Sequence, residues 1–199
     1  MSAVSEWIVR EYVEAQGFLV QQPRKYVVQS RRKRPEEEVD LLVMNPRAIA
    51  HVVPDHVVWT STDLKDISRA IVGVRGWHTE SFSPAKFDMA PEIFRFADKG
   101  AEGRVAQILG PGPVAKILCL PGLSGAAAMK SKSLEILRAK GIDGVIAFPT
   151  MLIELVNLIE VTNNYEKSDL LQVLRILKNY DLIKEPQMEL FRRSKSGNQ

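Results

Sequence analysis

Apolar positions open the chain at helical spacing: in residues 5–16, Ile8 and Tyr12 lie four apart with Val9 and Val13 beside them, and Gly17 supplies a stop. Two β-rich runs follow, Phe18 to Gln29 and Val39 to Met44, on either side of a very basic connection, with Asn45-Pro46 closing the second. This pattern predicts a helix and then a hairpin. From Arg47 to Lys65 the apolar residues are scattered, which predicts an insertion with one short strand at His56 to Thr60. The continuous apolar run Ala70 to Val74 is too short for a helix and suits a central strand covered on both faces, with a loop from Gly76 to Pro84.

The second half alternates more regularly. Pro91 to Leu109 predicts one or two helices broken near Gly100 and Gly103, and Gly110-Pro111-Gly112-Pro113 predicts a loop. Lys116 to Leu120 reads as a strand, Ser124 as the N-cap of a helix to Lys140, Gly141 as its stop, and Gly144 to Phe148 as a strand. Such a strand, helix, strand unit pairs in parallel. Met151 to Glu160 and Ser168 to Tyr180 complete the helices, the second capped by Ser168 and striped with Leu170, Leu171, Leu174 and Leu177. The stretch 184–199 is polar, basic and interrupted by proline, the composition of a flexible tail. The expected organisation is one α/β domain over residues 1–162, a C-terminal helical extension over 163–183 packing on it, and the tail.

Composition narrows the class. With 199 residues, 45% of them hydrophobic, the chain can bury a full core, and its length favours one main domain. A net charge of +3 is only mildly basic, so charge placement matters more than the sum. The single cysteine, Cys119, lies in an apolar run, which excludes an intramolecular disulfide and fits a reducing compartment. No apolar stretch approaches membrane-spanning length and no secretory leader is evident, so a cytoplasmic protein is expected.

Candidate chemistry begins with carboxylates. Glu6 lies on the first helical turn with Gly17-Phe18 eleven positions later, and Asp40 enters the otherwise apolar strand of Glu38-Val39-Asp40-Leu41-Leu42-Val43. In these residues, and in its order of helix, three strands, helix, strand, helix, strand, the chain resembles the PD-(D/E)xK nucleases, including Holliday-junction resolvases. The resemblance implies a restriction-endonuclease-like core, a mixed central sheet flanked by helices, and a magnesium- or manganese-dependent phosphodiesterase acting on DNA in repair, recombination or defence. It also implies Glu6 and Asp40 as metal ligands. The family's third motif, an acid, any residue and then lysine, falls on Gly73-Val74-Arg75, where the acid is missing and arginine replaces lysine. Arg75 can stabilise a phosphate but cannot act as a base. Glu80 or Glu38 would then have to supply the displaced carboxylate.

Each feature also has a plainer explanation. Glu6 is favoured on a first turn by the helix dipole alone, and Asp40 and Arg75 can form a structural ion pair. His78 and Trp77 can pack a loop, and His51 and His56 lack zinc-ligand spacing. Arg24, Lys25, Arg31, Arg32, Lys33 and Arg34 crowd the first connection, a patch suited to phosphates or to a solubilising hairpin tip, with Glu36, Glu37 and Glu38 directly after it. Gln187-Met188-Glu189-Leu190-Phe191 is similar to the peptide by which bacterial repair proteins dock on the sliding clamp, Leu190 and Phe191 filling a pocket and Gln187 fixing the register. Three readings stay open: a cutting enzyme, the same fold with a dismantled site serving as a nucleic-acid-binding or assembly module, and a structural subunit. The oligomeric state is equally open, a homo-oligomer included.

Overall fold

The computed structural model describes residues 3–23 and 39–183. Its centre is an open five-stranded mixed sheet in the order β1 (Leu19–Gln21), β2 (Leu41–Met44), β3 (Arg69–Val74), β4 (Ala115–Leu120) and β5 (Gly144–Ala147). Strand β2 runs antiparallel to both β1 and β3, while β3, β4 and β5 are parallel. The predicted pairing of the first two strands and the predicted parallel unit are both present. The helices are α1 (Ala3–Ala15), α2 (Ser61–Leu64), α3 (Pro84–Met89), a 3₁₀ helix (Pro91–Ala97), α4 (Lys99–Leu109), α5 (Ala127–Ala139), α6 (Phe148–Leu158) and α7 (Asp169–Asn179).

The reason β3 reads as an unbroken apolar run is now physical: Ala70 to Val74 are all buried, so neither face of this strand meets water. One face, carrying Leu42, Ile71, Leu118, Leu120 and Val145, packs with Phe82, Phe87, Ile93, Phe96 and Leu137 in a single core cluster. Helix α1 buries Ile8, Val9, Tyr12 and Val13, the four residues whose spacing predicted it.

Several local expectations are corrected. Helix α3 begins at the last residue of the predicted loop, Pro84, and runs through a stretch that the sequence pattern assigns to no element: Ser83 caps it by accepting the Lys86 N–H, and Pro84 sits at its first position. Ser124 is not the cap of α5, which starts at Ala127 with Ala126 in the cap position and no side-chain cap. The expected strand at His56 to Thr60 is reduced to one parallel bridge, Val58 to Val145, because only Val57 and Trp59 bond to the edge of β5 and α2 begins directly after.

The chain divides between Leu155 and Val156 into two compact units. The first carries the sheet. In the second, Ser168 caps α7 as expected, accepting the Leu171 N–H at 3.2 Å, and Lys178 donates to the carbonyls of Val156 and Ile159 at the end of α6. No helix among the described residues is long and apolar enough to cross a membrane.

Candidate functional site

Antiparallel pairing sets Leu41 opposite Val72; continued by one residue, this register brings Asp40 level with Gly73 at the carboxyl end of β3. Asp40 is 1% exposed. Its Oδ2 accepts the Val74 N–H at 2.8 Å and the Arg75 guanidinium at 3.0 Å, an ion pair closed to solvent on both sides. Arg75 also donates to the carbonyls of Val74 (2.8 Å) and Glu92 (3.2 Å), and its guanidinium carbon lies 5.6 Å from the centroid of Phe96. A buried carboxylate is tolerable only with charge and hydrogen bonds of this kind around it.

A Cβ at Gly73 would run into the ring of Phe96, so an aromatic ring from the 3₁₀ helix occupies the space beside this glycine. Phe96 thus fills the space over Gly73 and lies beside the guanidinium, an attractive placement for a desolvated cation. Arg75, Asp40, Gly73 and Phe96 form one interlocked unit, and no local pattern in the chain signals the last of them.

Two further candidate carboxylates have partners of their own. Glu6 on α1 accepts from Gln22 Nε2 at 2.6 Å, and Glu80 pairs with Lys86, whose ammonium lies 4.8 Å from the centroid of Trp77. No group of three or more His, Cys, Asp or Glu placed to hold a metal ion occurs among the described residues. Glu38, the basic residues Arg24, Lys25, Arg31, Arg32, Lys33 and Arg34, and the docking residues Gln187, Leu190 and Phe191 lie outside the described residues.

Other polar contacts of the sheet-bearing unit carry no sequence signal. His78 Nε2 lies 3.1 Å from the buried Ser5 hydroxyl while its ring meets Phe148 edge-on, and a Cβ at Gly76 would strike Ser5. The Tyr12 hydroxyl donates to Glu154 at 3.0 Å, and burial first, then the Glu154 charge, raises its pKa. Burial likewise raises the Cys119 thiol, with the Asp40 charge adding to it, so this cysteine is an inert core residue. Desolvation lowers the pKa of His51, whose Nδ1 lies 2.9 Å from Ser68 Oγ.

A second feature sits at the carboxyl ends of β4 and β5: a cavity of about 190 Å³, lined by Val58, Leu120, Val145 and Ala147 together with Ser124, Gly125 and Lys130. Its one sequence signal is the Gly122 to Gly125 loop ahead of a helix. The chain matches no protein-family model, no curated protein and no solved structure.

Proposed function

We propose that this protein is a nuclease-fold module that has lost cutting and serves to bind nucleic acid or to anchor an assembly. The fold part of this reading is supported by the helix followed by an antiparallel three-stranded meander and a parallel crossover strand, the arrangement expected of a restriction-endonuclease-like core. The observation that carries the loss of cutting is the closed unit of Asp40, Arg75, Gly73 and Phe96. A divalent cation of the magnesium type takes several oxygen ligands in near-octahedral geometry. Here Asp40 is shut off from solvent and committed to Arg75 and Val74, and Gly73 has no ligand to give. These residues do not fit a resident Mg²⁺ or Mn²⁺.

Binding rests on the basic run Arg24 to Arg34, which suits a phosphate backbone without selecting sequence. DNA is the expected partner, and the Gln187 to Phe191 peptide supplies a second contact, to the sliding clamp.

The test uses labelled single-stranded, duplex and branched DNA with Mg²⁺ or Mn²⁺. No metal-dependent cutting is expected, but salt-sensitive binding is. Replacing Arg31, Arg32, Lys33 and Arg34 by alanine should weaken binding and flatten the slope of log K against log salt by about 0.9 for each duplex phosphate no longer neutralised. Metal-dependent cutting that disappears in Glu6→Gln, a change the fold tolerates at a solvated helix start, would overturn the reading.

A further inference from the structure

From the cavity at the carboxyl ends of β4 and β5 we infer a binding site for a small aromatic anion of the nucleoside monophosphate class. This inference is independent of DNA binding by the basic run. Parallel strands end here and a helix begins. Of its lining, Leu120 and Val145 are buried, Leu123, Ser124 and Ala147 are half-buried, and Val58, Gly125 and Lys130 reach the surface.

Size limits the ligand. A cavity of about 190 Å³ exceeds the ~150 Å³ that accepts a benzene ring and falls short of the ~300–1,000 Å³ of pockets that enclose a drug-sized molecule. It holds one ring system and leaves the rest of the ligand at the mouth, where the Lys130 ammonium is the cation.

The loop glycines are compatible with such a site. Gly122 and Gly125 have no positive φ, and a Cβ at either would meet no heavy atom within 4 Å, as is also true of Gly103 on α4. Gly125 lines the cavity, and glycine there lets a ligand approach the backbone closely. The loop is also fixed in place, since Leu123 bridges to Phe82 and the Ser124 N–H donates to the Phe82 carbonyl at 3.2 Å.

The full-length protein is titrated calorimetrically with AMP, GMP, CMP and UMP, and with adenosine. At least one monophosphate should bind, and its nucleoside about tenfold more weakly, the scale of one charge-assisted contact. Lys130→Gln should abolish that preference for the phosphate. Gly125→Val, placed in open space, should leave the melting temperature unchanged and remove binding. A competition arm with 5′-phosphorylated and unphosphorylated oligonucleotides separates the two sources of this chemistry: displacement by the phosphorylated strand alone assigns the site to strand ends, and no displacement assigns it to free nucleotides. The inference is overturned if no monophosphate binds at about 1 mM, or if binding survives Gly125→Val unchanged.

Discussion

Two places at the same end of the sheet treat their polar groups in opposite ways. Where β2 meets β3, a full charge pair is sealed from water: Asp40 and Arg75 pair with each other, the Val74 N–H and two carbonyls bond to them, and Phe96 closes the space over Gly73. Where β4 and β5 end, the chain leaves room instead: α5 starts without a side-chain cap, Lys130 is exposed, and two glycines face open space. The contrast separates a polar cluster that stabilises the fold from one that a ligand can still reach. An ion pair closed to solvent on both sides is out of a substrate's reach.

Three substitutions sharpen or break this comparison. The largest effect belongs to Asp40→Ala, which leaves the Arg75 guanidinium buried without its counter-charge and should cost about 3–5 kcal/mol in chemical denaturation. The paired change Asp40→Leu with Arg75→Met should recover most of that loss, because both charges then leave the core together. If Asp40→Ala unfolds no more easily than wild type, the ion pair does not hold the fold together, and the site is open after all.

An intermediate effect is expected from Gly73→Ala, which drives a methyl group into Phe96: about 1–3 kcal/mol of overpacking, partly relieved when Phe96→Leu is added. Full stability of Gly73→Ala would remove the steric explanation for glycine at this position. The smallest effect is the same substitution at the other place. Gly125→Ala has free space and an ordinary backbone conformation, so it should leave stability unchanged or raise it by about 0.4–1 kcal/mol through the unfolded chain. A melting series of the two alanine variants side by side measures the comparison directly.

The pH dependence of His51 adds a small effect. Desolvation lowers its folded pKa below the ordinary 6.5, so the folded state resists a proton that the unfolded chain accepts. Its contribution is present above pH ~6.5 and lost as the pH falls from there through the folded pKa. Replacing His51 by Asn should flatten that part of the stability profile, as read from urea melts at pH 5 to 8.

Much of the fold is legible in the sequence because it rests on short-range periodicity. Ile8, Val9, Tyr12 and Val13 announce the buried side of α1, Ala70 to Val74 announce a strand covered on both faces, and Ser168 announces the start of α7. Helix α3 escapes such reading because its signal, Ser83-Pro84, suits the end of a loop as well as the first turn of a helix. The pairing at Val58 is shorter than its β-rich sequence suggests, because strand length depends on what lies beside the strand, here the edge of β5 alone.

By itself the sequence determined that an acid stands at position 40, that none stands at position 73, and that an arginine follows two residues later. Only the tertiary structure decided what this means, since the ring that fills the space over Gly73, that of Phe96, lies twenty-three residues away on an irregular helix. Burial and pairing are properties of the assembled core. A carboxylate at a strand end reads alike in sequence whether water, a metal or a guanidinium will face it, and its chemistry is set by which of these the fold brings within 3 Å.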